Sequence, residues 1–143
     1  MFKEIEIRKA TINDLSALED VGDQLFDYAI KRNRAEEFLN DPRHHMVLAF
    51  HMEHIVGMAC GFHYVHPDKD PALFIDEVGV LVEFQGKGLG SKLVQHLCEH
   101  GKELGCKVAW VVTEDTNIAA RKAYAKAGGL EDNGSFVLIE FKT

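Results

Sequence analysis

The sequence predicts a single α/β domain with one mixed β-sheet between layers of helices, a three-layer α-β-α architecture. Strand-like apolar runs alternate with helical apolar repeats along the chain, and a hairpin pattern in the first half precedes a strand, helix, strand order in the second. The 143 residues contain no repeat, linker or low-complexity segment, so one domain over 1–143 is expected.

The first elements are predicted from periodicity. Alternating apolar and polar residues over 4–8 predict a strand. Thr11 followed by Asp14 predicts a capped helix start, and apolar residues then recur at helical spacing as far as Ile30. We therefore expect one amphipathic helix from about Thr11 to Ile30, followed by a short helix over 35–39.

Two apolar runs joined by a short polar link predict a hairpin over 46–50 and 55–64. Gly57 and Gly61 lie inside the second run, where glycine often marks a β-bulge. A loop with two prolines follows and leads into the second half of the domain.

The second half is predicted as strand 74–82, a glycine-rich turn, a helix, strand 106–112, a helix over 117–127 and a final strand 136–141. The only tryptophan, Trp110, falls in the strand predicted to be buried. Gly128 and Gly129 are typical of a helix C-terminus and are expected to end the last helix.

The composition restricts the partners of the protein. With 16 basic and 23 acidic side chains the formal charge is −7, which argues against nucleic acid and is compatible with a cationic substrate such as an amine. No apolar run approaches the roughly 20 residues of a membrane span, and the N-terminus lacks a signal-peptide profile. We expect a cytoplasmic protein whose three cysteines, without CxxC spacing, are reduced.

The glycine-rich turn is the strongest local signal for a ligand. A predicted strand, the turn Gln85-Gly86-Lys87-Gly88-Leu89-Gly90 and a helix follow one another directly. The first N–H groups of a helix have no intrahelical partner, and glycine lets a phosphate approach them closely. Ser91 stands where a dinucleotide fingerprint needs glycine, and no Gly-Lys-Ser/Thr of a P-loop is present. The turn predicts a phosphate-bearing ligand of another kind.

Two segments identify a family resemblance. The turn fits [Q/R]-x-x-G-x-[G/A] behind Val78-Gly79-Val80, and the segment from Asn117 to Gly128 fits N-x-x-A-x-x-x-Y-x-K-x-G. Together with the order of elements, these motifs resemble the GNAT superfamily of N-acetyltransferases over most of the chain. The order of elements, the loop at 63–71 and Glu77 are also somewhat similar to aminoglycoside 3-N-acetyltransferases.

The resemblance implies a GNAT fold and direct transfer of an acetyl group from acetyl-CoA to a primary amine. It implies Tyr124 as general acid toward the CoA thiolate, Asn117 as a ligand of the pantetheine arm, and the Val80 N–H as the group that polarises the acetyl carbonyl. The remaining cofactor contacts that it implies are Val78, Val82, Gln85, Gly86, Lys87, Gly88, Leu89, Gly90 and Tyr124.

The sequence departs from the family pattern at two positions, and three of the assigned residues also fit purely structural roles. Val82 stands where many relatives have proline, and Gln85 replaces a commoner arginine, so phosphate binding would rest on the backbone. Asn117 also fits a helix cap, Tyr124 a packing residue and Lys87 a solvated side chain.

A base is needed because an alkyl amine is largely protonated at neutral pH. Asp76 and Glu77 precede Val78 in an apolar run, and neighbours on a strand point to opposite faces. We choose Glu77, with Asp76, a histidine or water as alternatives. The histidine pairs 44–45, 63 and 66, and 96 and 100 are expected at surfaces or loops, and no metal site is expected.

The acceptor is expected to be a small amine such as an aminoglycoside or polyamine. Acetylation of a protein or peptide amine is one alternative, and a non-catalytic CoA-binding sensor or interaction module is another. A homodimer is compatible with the resemblance, with the predicted strand 136–141 offering an exposed edge.

Overall fold

The computed structural model describes residues 4–143 and shows a mixed five-stranded sheet in the order β1-β2-β3-β4-β5. The elements in chain order are β1 Ile5–Lys9, a 3-10 turn Ile12–Asp14, α1 Leu15–Glu19, α2 Arg32–Asn40, β2 His44–His51, β3 His54–Tyr64, β4 Ala72–Val80, a 3-10 turn Val82–Phe84, α3 Leu89–Glu103, β5 Val108–Val111 and α4 Ile118–Lys126. The first four strands are antiparallel and β5 is parallel to β4.

Each face of the sheet carries its own apolar cluster, which confirms the three-layer α/β prediction. On one face α3 buries Leu93, Val94 and Leu97 against side chains of β2, β3 and β4. On the other face Leu18 of α1 and Leu25 pack with Met58 and other β2 and β3 residues. We call these the α3 face and the α1 face.

The predicted helix start at Thr11 is confirmed. Its hydroxyl accepts from the Asn13 N–H at 3.2 Å, and the Asp14 carboxylate accepts from the Thr11 N–H at 2.7 Å. Arg8 binds the same carboxylate through two bonds of 2.9 and 2.8 Å, which lowers the pKa of Asp14. The start of α1 is thereby fastened to β1.

The prediction of one helix from Thr11 to Ile30 is wrong beyond Glu19. After α1 the chain turns at Gly22, whose φ is +77°, and Leu25 reaches the α1 face from this non-helical segment. Asp20, Gly22 and Asp23 are poor helix residues, and the helical spacing of the apolar side chains does not outweigh them. The second helix is longer than expected and ends before Asp41, as predicted.

Two expectations for the C-terminal part are also wrong. Segment 136–141 forms no strand, and its five apolar side chains are 67–85% exposed. Trp110 is 42% exposed, because β5 lies at the edge of the sheet and has a neighbour on one side only. A segment with a strand-like pattern forms a strand only where a neighbouring strand can pair with its backbone N–H and C=O groups. The apolar pattern alone therefore did not predict the structure of these two segments.

Within residues 4–143 no helix is both long and apolar enough to cross a bilayer. The cysteines at 60, 98 and 106 are free thiols, and those at 60 and 106 are buried.

Candidate active site

A gap between β4 and β5 is the central feature of the site. The two strands pair only from Ala72 with Val108 to Ile75 with Val111, whereas β4 continues to Val80. β3 accompanies β4 through to the pair of Gly57 with Val80. Within residues 4–143, the segment 78–80 therefore pairs with β3 on one side and with no strand on the other. The separation begins after the pair of Ile75 with Val111.

Backbone groups of β4 point into this gap. Leu81 donates its N–H to the Val56 carbonyl at 2.9 Å, which makes the next pair, Gly57 and Val80, a non-hydrogen-bonded pair of the ladder. In such a pair both N–H and C=O point away from the partner strand. The N–H groups of Val80 and, by the same alternation, Val78 consequently face the gap.

Gln85 has a structural contact that the sequence did not reveal. Its side-chain Nε2 donates to the Val80 carbonyl at 2.9 Å and so links the turn to the end of β4. The bond occupies the carbonyl of Val80 and leaves the Val80 N–H facing the gap. Gln85 thus fixes the backbone around the gap, while an uncharged side chain adds little to anion binding.

The glycine turn has the conformation that an anion site requires. Gly86 and Gly88 have φ values of +76° and +82°, which only glycine adopts readily, and α3 begins directly afterwards with Leu89. Lys92 donates the first intrahelical bond, to the Gly88 carbonyl, so the preceding N–H groups of the helix are unpaired within it. The Leu89 side chain is buried, and only its backbone can contact a ligand.

A lysine that sequence reasoning did not assign lies beside this turn. The Nζ atom of Lys126, on α4, is 2.7 Å from the position that a Cβ on Gly88 would take. Lys87 is exposed on the turn itself. Two cations thus flank the unpaired N–H groups, which favours a phosphate ligand. In the sequence, the signal for this lysine was its place in the α4 motif, two residues after Tyr124.

The two motif residues of α4 have different surroundings. Asn117 caps the helix, with Oδ1 accepting from the Ala120 N–H at 3.1 Å, and its amide NH2 group remains exposed. Tyr124 is half-buried against the α3-face cluster, and burial raises the pKa of its phenol. The Tyr124 hydroxyl has no hydrogen-bond partner within residues 4–143, so it stays protonated and available to a ligand.

Ser91 joins the glycine turn to α4. Its buried hydroxyl donates to the Ala123 carbonyl at 2.7 Å, directly before Tyr124. The residue that excluded a dinucleotide fingerprint thus sets the position of Tyr124 relative to the turn.

Replacing Ser91 by alanine should destabilise the protein by about 1 kcal/mol, because one part-buried hydrogen bond is lost. The Ala123 carbonyl keeps its bond from the Ala127 N–H, which limits the loss. Urea denaturation measures the change, with exposed Ser16→Ala on α1 as control. A Ser91→Ala protein as stable as the control would contradict this role.

A β-bulge turns Glu77 toward the α1 face. The register of β3 and β4 passes from Cys60 with Glu77 to Gly61 with Ile75, so Asp76 is an extra residue. Ile75 before the bulge and Val78 after it both pack on the α3 face. Without the extra residue, strict alternation would place Glu77 on that apolar face as well.

The environment of Glu77 favours its protonated form. Burial raises the pKa of the Glu77 carboxyl, and the charges of Asp76 and Asp27 raise it further. Asp76 and Asp27 are exposed, whereas Glu77 is half-buried. A carboxyl whose pKa is raised in this way is a better proton acceptor than an ordinary glutamate, which makes Glu77 a candidate for proton transfer.

Three histidines form a chain on the α3 face, which sequence reasoning missed. His45 is buried, with Nε2 2.7 Å from Nδ1 of His63 and Nδ1 3.0 Å from Nε2 of His100. Lys9 Nζ lies 3.5 Å from His100 Nδ1. Since lysine only donates, His100 accepts at Nδ1 and donates from Nε2 to His45, which in turn donates from Nε2 to Nδ1 of His63. Their spacing over 55 residues gave no local signal.

The row of three histidines lies apart from Glu77 and from the gap. His45 pairs with Gly61 on the α3 face, whereas Glu77 faces the α1 side and the gap lies beyond it along β4. The structure therefore brings neither His45 nor His63 to Glu77. The described residues, 4–143, contain no group of three or more potential metal ligands in a binding arrangement.

Acidification should destabilise the protein through His45. Burial and the nearby His100 and His63 lower its pKa from 6.5 to about 4. The unfolded state takes up the proton first, so stability is lost as pH falls from 6.5 toward 4, by about 2 kcal/mol between pH 7 and pH 5. Urea denaturation should show this slope in the wild type and a flatter one in His45→Gln. Equal slopes in the two proteins would contradict the assignment.

An open aromatic groove of about 340 Å³ lies at the β4–β5 edge of the sheet. It is lined by Phe62, Tyr64, Phe74 and Trp110, and the rings of Phe74 and Trp110 are 4.6 Å apart. Its lining is almost entirely apolar.

Comparison with known proteins agrees with this geometry. The model of the acetyltransferase (GNAT) family matches residues 9–129. The chain belongs to the GNAT family. The resemblance inferred from the glycine turn and the α4 motif is thereby confirmed, and both motifs lie inside the matched residues.

Individual GNAT relatives are more distant. An uncharacterized N-acetyltransferase of Archaeoglobus fulgidus is 43% identical over 51 residues, which are 36% of this chain. The aligned part spans 35%, about a third, of that relative's length.

Solved GNAT structures share the fold over almost the whole chain. An aminoglycoside acetyltransferase from an uncultured soil metagenomic sample, in complex with sisomicin, has a TM-score of 0.83 at 17% identity and 99% coverage of both chains. The aminoglycoside N-acetyltransferase AAC(6')-Iy, in complex with a CoA-containing bisubstrate analog, has a TM-score of 0.81 at 20% identity, covering 97% of this chain and 99% of that chain. At these identities the likeness establishes the fold.

Proposed function

We propose that this GNAT protein transfers the acetyl group of acetyl-CoA directly to a primary amine. The observation that carries the proposal is the gap beside Val78 and Val80, which opens next to the unpaired N–H groups of the glycine turn. Backbone donors for an amide-bearing chain and for a phosphate are thus contiguous. CoA has both chemical groups in one molecule.

The cofactor would lie along this surface. The N–H groups of residues 86–90 would bind the pyrophosphate, with Lys87 and Lys126 supplying positive charge. The pantetheine amides would pair with the gap-facing groups of Val78 and meet the exposed amide of Asn117. The N–H of Val80 would then donate to the thioester carbonyl and stabilise the oxyanion formed on attack. Val82, exposed in the following 3-10 turn, borders the entry.

Tyr124 is the proposed acid. The neutral amine nitrogen attacks the carbonyl carbon, the carbon–sulfur bond breaks, and the CoA sulfur leaves with the electron pair. The nitrogen loses one proton to water as the amide forms, and water returns a proton to Tyr124 after the step. The Tyr124 hydroxyl gives its proton to this sulfur, for which its raised pKa keeps it ready at neutral pH. Its ring packs on the same cluster as Val78 and Val80, so the phenol and the gap are held together.

Glu77 is the proposed base on the opposite side of the gap. It would accept a proton from the ammonium form of the acceptor, directly or through water. Asp27 and Asp76 lie close enough to raise its pKa, so the approach to Glu77 is acidic. An acidic approach favours a small polycation such as an aminoglycoside or polyamine over a neutral peptide.

Replacing Glu77 by glutamine should lower kcat/KM about 10-fold at neutral pH and remove the acid limb of the pH profile. A base works only when deprotonated, so in the wild type the rate falls as pH drops through the raised pKa of Glu77. The matched control is Asp76→Asn, which removes a charge that raises this pKa and should move the limb to lower pH. If Glu77→Gln kept the acid limb of its pH profile unchanged, the general base would be water or another group.

The function is tested by measuring CoA release from acetyl-CoA with a panel of aminoglycosides, polyamines and peptides with free N-termini or lysines. We expect turnover with one of the polycationic classes and product acetylated on a primary amine by mass spectrometry. Turnover with peptides alone would overturn the small-amine proposal. CoA binding without turnover on any acceptor would favour a non-catalytic sensor.

A further inference from the structure

The aromatic groove at the β4–β5 edge of the sheet is a cavity that the proposed reaction does not use. Rings of Phe62, Tyr64, Phe74 and Trp110 line its volume of about 340 Å³. The rings form a continuous row, in which the centroid of Phe74 lies 5.3 Å from that of Phe62 and 4.6 Å from that of Trp110. Trp110 is 42% exposed and the other three are half-buried. Apolar rings that stay this accessible are typical of a ligand-binding groove.

The groove lies on the α1 face of the sheet, which is also the face of Glu77. Phe74 stands between Leu73 and Ile75, which are both buried in the α3-face cluster, so its ring faces the α1 side. The same alternation turns Trp110 of β5 to the α1 side, because its two neighbours pack on the α3 face. A ligand in the groove is therefore on the same side of the sheet as the proposed base.

Glu77 and Phe74 are neighbours on the α1 face. Their partners on β3 are Cys60 and Phe62, which are two residues apart, so the two β4 residues lie about 7 Å from each other along the sheet. The extra residue at Asp76 is taken up by the bulge and does not lengthen this separation. One acceptor molecule of modest length can therefore contact the base and the rings at the same time.

The two ends of this surface differ in chemistry. At Glu77, the charges of Asp76 and Asp27 are close enough to raise the pKa of its carboxyl, and such an acidic end attracts an ammonium group. In the groove, the rings offer stacking to another ring and almost no polar atom to a hydroxyl or amino group. The complementary ligand has a cationic head and an aromatic body.

We propose that this protein also acetylates arylalkylamines, whose aromatic ring lies in the groove while the amino group lies beside Glu77. The inference rests on the proposed function, because it uses the same acetyl-CoA site and the same base, and it adds an acceptor class to the polycations. An arylalkylammonium ion and acetyl-CoA give the N-acetyl amide, CoA thiol and one proton. A spacer of about three or four carbon atoms fits the separation of about 7 Å between Glu77 and Phe74.

The first test measures CoA release with phenylalkylamines of increasing spacer length and with n-alkylamines of the same lengths. We expect kcat/KM to be about 10-fold higher with the phenyl ring than without it, because the ring is buried against other rings. The advantage should be greatest at a spacer of about three or four carbon atoms. Turnover of aminoglycosides or polyamines with no preference for phenylalkylamines over alkylamines would overturn the inference and leave the proposed function standing.

Trp110→Ala connects the preference to the groove. The variant should lower the ratio of kcat/KM for phenylbutylamine to kcat/KM for butylamine about 10-fold. The ratio is independent of any loss of folded protein. Val108→Ala is the matched control, because Val108 is exposed on the same strand and the same face but does not line the groove. Equal ratios in the two variants would place the ring of the acceptor elsewhere and contradict the inference.

Tryptophan fluorescence separates binding from transfer. Trp110 is the only tryptophan of the chain, so its emission reports occupancy of the groove directly. With CoA bound in place of acetyl-CoA, phenylbutylamine should change the emission in a saturable way, and butylamine at the same concentrations should not. No response to phenylbutylamine would overturn the inference, even in a protein that acetylates polycations. A saturable response without turnover of any amine would instead overturn the transfer, and with it the proposed function, while the groove would remain a site for the ring.

Discussion

Replacing Tyr124 by phenylalanine should lower kcat about 100-fold and leave the Kd for acetyl-CoA within about threefold. The ring packs on the α3-face cluster and would remain, whereas the hydroxyl, which has no partner within residues 4–143, is removed. Loss of a positioned proton donor to a leaving group typically has an effect of this size. Steady-state kinetics at saturating amine and calorimetric titration of CoA measure the two quantities.

Tyr64→Phe is the matched control, because Tyr64 lines the aromatic groove and not the gap. It should leave kcat unchanged. If Tyr124→Phe weakened CoA binding as much as it lowered kcat, Tyr124 would be a binding residue only. If neither kcat nor the Kd for acetyl-CoA changed, the thiolate would leave without protonation by Tyr124.

Replacing Gly61 by alanine should destabilise the protein by about 4 kcal/mol, enough to unfold a marginal domain. A Cβ at this position would lie 2.1 Å from the Phe74 carbonyl oxygen and 3.1 Å from the Ile75 Cα. Both are backbone atoms of β4 at the bulge, and they cannot move without breaking the ladder between β3 and β4. Urea denaturation measures the loss, with soluble expression as a second indicator.

Gly57→Ala, on the same strand, is the comparison. There a Cβ would meet the Leu93 side chain at 2.9 Å, and a side-chain methyl can rotate away. We expect a loss of about 1 kcal/mol. A Gly61→Ala protein as stable as Gly57→Ala would mean that the bulge shifts freely, and Glu77 would then lose its fixed orientation.

The parts of the site that are local in sequence were predictable. The glycine turn and the Asn117 to Tyr124 spacing each depend on a few consecutive residues, and the structure places them on the predicted turn and helix. The five strands that the structure contains were also predicted from apolar periodicity, whereas the sixth predicted strand, 136–141, is absent from residues 4–143. Family membership could therefore be inferred from two short segments, while the roles of Glu77, Tyr124 and the cofactor contacts remain proposals.

Features that depend on distant residues were not predictable. The His45 chain joins β2, β3 and α3, and no periodicity indicates it. The extra residue at Asp76 shows only in the register with β3. The resemblance implies a cofactor contact for Gln85, and the bond from its side chain to the Val80 carbonyl could not be read from the sequence. The helix predicted from apolar spacing was wrong after Glu19, because Leu25 reaches the core from a non-helical segment.

The short pairing of β4 with β5 has a consequence for motion. Within residues 4–143, the backbone of β5 is paired with the sheet through the pairs from 72 with 108 to 75 with 111, and α4 follows β5 in the chain. β5 and α4 should therefore open as a local unit at a lower free energy than the four antiparallel strands. A ligand that bridges the gap would tie this unit down. Slower amide hydrogen exchange of residues 108–126 would then report occupancy of the gap before any chemistry occurs.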